Sequence, residues 1–425
     1  MAALGLGFSN LPLGQRAVAP TSAIQAVKPS EPSEPWKSLV RPTPAPTPDS
    51  TPFARATVAP GVRATTPAAG QAPPPSRGVR APTSAGLRIG LSYGDTLVWL
   101  TATALAQTLD DAAALGTGWI RADLAWTDVQ SKSAEVYDWS GFDRVVHAAK
   151  ARHLRVLPVL AYTPAWARPA GCSSAKCAPA DANAFASFAA AAVRRYAPLG
   201  VHTWEIWNEP NITGFWKPAP SVDRYVALLR AVVPAIKGAD AAATLISGGL
   251  APAPSSGGDI SQIDYLTGFS RLGGPGLVDA IGYHPYSFPV PPAYKVDWNA
   301  WSQIAATPTN FKSVLAAHGY AGKKIWITEY GAPTNGPGLG ATTSDYKLTA
   351  RPGPDHVDEA LQAQMATDSV GLAKSSSTIV ALFWYSRRDL GTSTSNVENF
   401  FGLRRHDGSP KPAYAALQHA IATKP

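Results

Sequence analysis

The sequence predicts an α/β protein: a (β/α)8 barrel preceded by a disordered Pro-rich N-terminal segment. Three observations carry this. Eight short apolar segments have strand character, a helix-like stretch follows each, and several of the strand segments end in polar or aromatic residues. Alternating strands and helices also fit a doubly wound open sheet, but only a closed barrel brings all the strand ends to one mouth, where active sites of this fold are built.

The strand segments are RIGLSYG from Arg88, WIRADLAW from Trp119, LRVLPVLAYTP from Leu154, HTWEIWNEP from His202, TLISGGLAP from Thr244, VDAIGYHPYS from Val278, KIWITEYGAP from Lys324 and IVALFWYS from Ile379. Successive segments begin 31 to 55 residues apart, which suits one strand and one helix each with some long loops. Between them, ALAQTLDDAAAL, FDRVVHAAKARH, DANAFASFAAAAVRRYA and DRYVALLRAVVPAIKGA repeat apolar residues three and four apart, the helical period. PAYAALQHAIA supplies the last helix.

Residues 1–85 are different. They hold 16 of the 40 prolines, in runs such as RPTPAPTPDSTP and QAPPPS, and lack a sustained hydrophobic period. This is the composition of an extended, disordered leader or tether, with the folded barrel domain over 86–425. The tether also concentrates the charge: eight Lys/Arg against three Asp/Glu give it +5 of the chain's +8. The remaining 29 basic and 26 acidic residues leave the barrel near neutral, so a nucleic-acid partner is not expected. No apolar run reaches the ~18 residues of a membrane-spanning helix, and MAALGLGF has no basic n-region to make it a secretory signal. The two cysteines, Cys172 and Cys177, lie in the loop-like GCSSAKCAP with no partners for a zinc site. Their proximity permits a disulfide, which implies an oxidising compartment. With the Pro-rich tether, this points to a secreted or cell-envelope-associated protein.

The chemistry concentrates in two strand ends. Glu209 closes the fourth segment in WEIWNEPN and Glu329 the seventh in WITEYGAP, and these strands lie nearly across a barrel from each other. Two carboxylates facing over a gap are what glycosidic hydrolysis requires, with ~5–5.5 Å between them for retention and ~6.5–9.5 Å for inversion. Arg121 on the second strand can hold Glu329 ionised, while a neighbouring carboxylate and partial burial favour a protonated Glu209. Asn208 is placed to bind a sugar hydroxyl beside the anomeric carbon. Glu205 lies deeper in the same motif, where a carboxylate more often partners an internal Arg. His284 and Tyr286, in GYHPYS, can reach a nucleophile or a sugar hydroxyl. Trp126, Trp166, Trp207 and above all Trp384 offer flat faces for sugar rings.

WEIWNEPN and WITEYGAP resemble the acid/base and nucleophile motifs of the large clan of retaining glycoside hydrolases that contains the cellulase-like family 5 and the β-xylosidase-like family 39. IRADLAW, YTPAWARP and FFGLRRHDGSPKPAYAAL are most similar to compact family 39-like bacterial proteins. The resemblance covers Gly86 to the end. It implies Glu209 as acid/base, Glu329 as nucleophile, subsite contacts from Arg121, Asn208, His284, Tyr286 and Trp384, and a non-proline cis peptide between Trp384 and Tyr385. The added β-sandwich of many family 39 β-xylosidases is not expected here, which argues against xylosidase activity specifically.

The expected substrate is a poly- or oligosaccharide with β-O-glycosidic bonds. The same residues would serve a transglycosylase, and a barrel that binds carbohydrate without catalysis is the other alternative. The absence of G-x-S-x-G, H-E-x-x-H and P-loop motifs argues against other hydrolytic chemistries, and neither a metal nor an organic cofactor is expected.

Overall fold

Each of the eight strand segments forms a parallel strand, and together they close a barrel in the computed structural model, which describes residues 86–348 and 354–423. The segment 1–85, read above as a tether, lies outside the described residues. The strands are β1 (Arg88–Ser92), β2 (Trp119–Ala125), β3 (Arg155–Ala161), β4 (Thr203–Ile206), β5 (Thr244–Ser247), β6 (Ala280–Tyr283), β7 (Lys324–Tyr330) and β8 (Ile379–Tyr385). Every strand pairs with its sequence neighbours, and β1 pairs with β8 to complete the circle. Helices α1 (Ala102–Ala114), α2 (Ser140–Lys150), α3 (Ala182–Tyr196), α4 (Val222–Ala239), α5 (Gln262–Arg271), α6 (Phe311–Ala317), α7 (Glu359–Ser375) and α8 (Pro412–Ala422) follow the strands in turn.

The helices start where short polar side chains can take the place of a missing turn. Thr101, Asp181, Ser221, Ser261, Asn310 and Asp358 each accept a hydrogen bond from a backbone N–H in the first turn of the helix they precede. Asp111 of α1 ties the last unit to the first. Its carboxylate accepts from Arg387 Nε (2.6 Å), Arg404 Nη2 (2.6 Å) and Tyr414 Oη (2.9 Å).

Alternation along the strands divides the core in two. Trp119, Leu157, Ile246, Ala280, Trp326, Ala381 and Phe383 fill the barrel interior. The intervening residues, including Ile120, Leu382 and Trp384, belong to the larger layer between barrel and helices. The interior plug is apolar, so polar chemistry is confined to the positions above it, at the C-terminal strand ends.

Strand β7 breaks its own alternation. Leu382 of β8 lies opposite Ile327 while Trp384 lies opposite Tyr330, so β7 carries one extra residue between them. A bulge of this kind re-aims side chains and is common beside active sites. Here Thr328 and Glu329 both face inward, as their hydrogen bonds to Glu205 and Arg121 record.

Candidate active site

Arg121 is the hub of the mouth. From the inward face of β2 its guanidinium donates through Nε and Nη2 to Glu205 (2.6 and 3.1 Å), through Nη2 to Asn208 Oδ1 (2.8 Å), and through Nη1 to Ser92 Oγ (3.1 Å) and to Glu329 Oε1. A planar fork suits this, because several acceptors are engaged in fixed directions by one buried charge. Glu205 is buried below the mouth and also accepts from Gly249 N and Thr328 Oγ1, both at 3.0 Å. It holds Arg121 in position.

Glu329 takes its second oxygen to Tyr286, whose hydroxyl donates to Oε2 at 2.8 Å. Burial alone would push this carboxyl up, but His284, Arg121 and the Tyr286 hydroxyl outweigh it and hold Glu329 below the usual glutamate range. Glu209 leaves β4 through a turn in which both Trp207 (φ 72°) and Glu209 (φ 43°) have positive φ. A left-handed backbone is unfavourable for residues with a Cβ, and such strain gathers at functional sites. Glu209 Oε1 lies 2.9 Å from His284 Nδ1. One ligand-type atom each from Glu209, His284 and Glu329 all fall within 4.8 Å of one another. A cation could find three donors there, but Arg121 already supplies positive charge to Glu329, and Glu209 and His284 are engaged with each other.

The tautomer of His284 follows from its neighbours. Thr328 gives its hydroxyl proton to Glu205, so its oxygen is left to accept from His284 Nε2, 3.0 Å away. Nε2 therefore carries a proton, and Nδ1 and Glu209 share the next one: either Glu209 donates to Nδ1 or the charged ring donates to Glu209. Burial disfavours a charged ring, yet Glu329 and Glu209 outweigh it and raise the proton affinity of His284. Gly249 makes room for the ring, since a Cβ there would lie 2.1 Å from Nε2.

The mouth thus brings together Arg121, Asn208, Glu209, His284, Tyr286 and Glu329, but not Trp384. That side chain is 1% exposed, packs edge-on against Tyr330 and faces the helical layer. Strand parity is the reason: with Ala381 and Phe383 inward, the next inward residue of β8 is Tyr385, a half-buried residue within electrostatic reach of Glu329, Asp95 and Asp123. The non-proline cis peptide is likewise one residue later than expected, between Tyr385 and Ser386. Of the other tryptophans, Trp126 and Trp207 are buried, while Trp166 is exposed on the loop after β3. Trp99 and Trp298, on the loops after β1 and β6, are exposed indoles that sequence patterning did not single out. Cys172 and Cys177 are bonded to each other and close the loop that carries Lys176.

The family model of cellulases, glycosyl hydrolase family 5, matches residues 81–351, more than half of the sequence. The chain belongs to glycosyl hydrolase family 5. The matched range of this family 5 chain contains both glutamates and their partners Arg121, Asn208, His284 and Tyr286. Among solved structures it is similar to a family 39 glycoside hydrolase from the gut symbiont Bacteroides cellulosilyticus WH2. Identity there is 23% over 79% of this chain and 64% of that one, with a TM-score of 0.59. A monomeric β-xylosidase from Caulobacter crescentus CB15 is 18% identical over 81% and 70% of the two chains, TM-score 0.56. GH5_18 from Streptomyces cattleya, in complex with GlcNAc, is 18% identical over 79% and 80%, TM-score 0.55. At these identities the likeness is one of fold, and the family 5 chain spans less than two thirds of the Bacteroides enzyme. No curated protein matches the sequence.

Proposed function

We propose that this family 5 barrel hydrolyses β-O-glycosidic bonds of an oligo- or polysaccharide by retaining double displacement, with Glu209 as acid/base and Glu329 as nucleophile. The observation that carries the reading is the closeness of the two carboxylates, with an oxygen of each within 4.8 Å. That closeness suits direct attack of Glu329 on an anomeric carbon whose glycosidic oxygen Glu209 can reach, the arrangement of a retaining pair.

In the first step Glu209 protonates the glycosidic oxygen while a Glu329 oxygen bonds to the anomeric carbon. The carbon–oxygen bond to the leaving sugar breaks and a glycosyl ester forms. In the second, Glu209 takes a proton from water as the water oxygen displaces Glu329, which returns both carboxyls to their starting states. Arg121 and Tyr286 hold Glu329 ionised and aimed, and His284 orients Glu209. Asn208 turns its amide N–H2 toward the sugar because its oxygen is taken by Arg121.

We place the protein outside the cytoplasm, secreted or at the cell envelope. The Cys172–Cys177 bond supports this, since disulfides persist in oxidising compartments. No helix among the described residues is long and apolar enough to cross a membrane.

Proton NMR of the first product released from a β-linked oligosaccharide tests the chemistry. The β-anomer appearing first and mutarotating later is the expected result; the α-anomer appearing first would overturn the retaining reading. Adding an acceptor sugar separates hydrolysis from transglycosylation.

A further inference from the structure

Three carboxylates at the mouth have no part in the arrangement described so far. Asp123 follows Arg121 by two residues on β2 and so shares its inward face, nearer the opening. It is 7% exposed, its backbone N–H donates to Gly94 O at 2.8 Å, and its carboxylate accepts no hydrogen bond among the described residues. Glu398, on the loop after β8, is part-buried and likewise lacks a side-chain partner among the described residues. Asp95, on the loop after β1, is a third carboxylate beside Asp123. Burial pushes Asp123 up to about 7, against the pull of Arg121 and with the further push of Asp95, Glu329 and Glu205. Burial and then Glu329 and Glu209 push Glu398 up to about 7 as well.

The local cations are spoken for. Arg121 is shared among Glu205, Glu329, Asn208 and Ser92, and His284 is held between Glu209 and Thr328. Lys176 places its ammonium 3.9 Å over the Phe215 ring, within the field of Glu209, Asp123 and Asp95 but hydrogen-bonded to none of them. Six carboxyls, Glu205, Glu209, Glu329, Asp123, Asp95 and Glu398, therefore gather around Arg121, His284 and Lys176, with Lys217 next to Lys176 as a further cation in reach. Protonation can relieve that negative charge, as the raised proton affinities of Asp123 and Glu398 record, but it leaves each carboxyl neutral, and sugar hydroxyls alone would not let both stay ionised. An ammonium would.

Resting on the glycosidase reading, we propose that the mouth accepts a β-linked glycan whose unit beside the scissile bond bears a free amine, an amino sugar without its N-acetyl group, held by Asp123, with Glu398 adding negative charge near Glu329 and Glu209. The amine brings the positive charge that the protein itself leaves out.

The test compares p-nitrophenyl β-glycosides of glucosamine and galactosamine with the matching neutral and N-acetylated sugars, alongside calorimetric binding of glucosamine and cello-oligosaccharides of equal length. Wild type, Asp123→Asn and Glu398→Gln are measured. Expected are a kcat/KM for an amine substrate at least about tenfold above its neutral counterpart and a loss of about tenfold for that substrate in Asp123→Asn, the scale of one hydrogen-bonded charge. Neutral or acetylated substrates that match or exceed the amine, or a preference that survives both substitutions, would overturn the proposal while leaving the glycosidase reading intact. Amine-selective binding that depends on Asp123 without cleavage of any glycoside would do the reverse. Neither binding nor cleavage would remove both.

Discussion

The Nε2 atom of His284 lies 3.0 Å from the Thr328 hydroxyl, and that hydroxyl gives its own proton to Glu205. A threonine on β7 thus fixes which ring nitrogen faces Glu209, and through it the state of the acid/base. Thr328→Val keeps the volume but leaves a buried N–H and a carboxylate oxygen short of a partner, a loss of about 1–3 kcal/mol. We expect kcat/KM, which reports the first step, to fall about tenfold or more on substrates with poor leaving groups, which need the Glu209 proton, and much less on 2,4-dinitrophenyl glycosides, which do not. An equal loss on both would show that the threonine acts on packing alone.

Arg121 joins Glu205 and Glu329 at 1% exposure, so Arg121→Met would strip Glu205 of its hydrogen-bonded cation and leave Glu329 with His284 as its remaining counter-charge. Breaking a buried pair from one side destabilises by about 3–5 kcal/mol, a loss that urea unfolding at pH 7 would read. Arg121→Lys keeps the charge but not the fork, so the fold should survive with lower activity. The sign in pH follows from Glu329, whose proton affinity is lowered in the folded enzyme. The stability it contributes is present above the pKa of a free glutamate and is lost as pH falls through the folded value. Weakening Arg121 should therefore move the acid limb of kcat/KM upward.

Gly249→Ala would put a Cβ 2.1 Å from His284 Nε2 and 2.7 Å from Thr328 Oγ1. Relief requires the ring to move off Glu209. Overpacking of this kind costs about 1–3 kcal/mol, and activity should fall well beyond what a thermal melt reports. Gly238→Ala, at an α4 position where an added Cβ meets nothing within 4 Å, is the control and should leave activity unchanged while the melt rises slightly, as helix propensity requires.

Asp123 sets a pH dependence of the opposite sign. Its folded-state pKa is raised from 3.8 to about 7, so the folded protein binds its proton more tightly and wild-type stability falls as pH rises across that window. Asp123→Asn removes this penalty. The variant's advantage in urea unfolding should grow from near zero at pH 4 to a few kcal/mol, on the order of 3, at pH 8. An advantage that did not change with pH would mean that the carboxylate is satisfied.

Most of the barrel and half of the mouth were legible from residue order. Strand segments alternate with helical ones along the chain, and Arg121, Glu209, His284 and Glu329 stand toward strand ends, where the fold gathers side chains. The misreading of Trp384 for Tyr385 came from parity: a one-residue difference along a strand exchanges the barrel interior for the helical layer, and only the inward placement of Ala381 and Phe383 fixes which is which. The β7 bulge has no sequence mark in KIWITEYG, so the joint inward facing of Thr328 and Glu329 was invisible. Asp123 could have been found by stepping two residues from Arg121. Glu398 could not, because a loop of irregular backbone has no period to extrapolate.

The pairing of Glu209 with Glu329 is tested most directly by azide rescue of Glu209→Ala and Glu329→Ala on activated aryl β-glycosides. A retaining pair predicts that both variants lose most of their activity. Azide should then restore turnover of Glu329→Ala with an α-glycosyl azide as product, and of Glu209→Ala with a β-glycosyl azide. Wild-type rates in either variant, or the two azide anomers exchanged between them, would contradict the assignment.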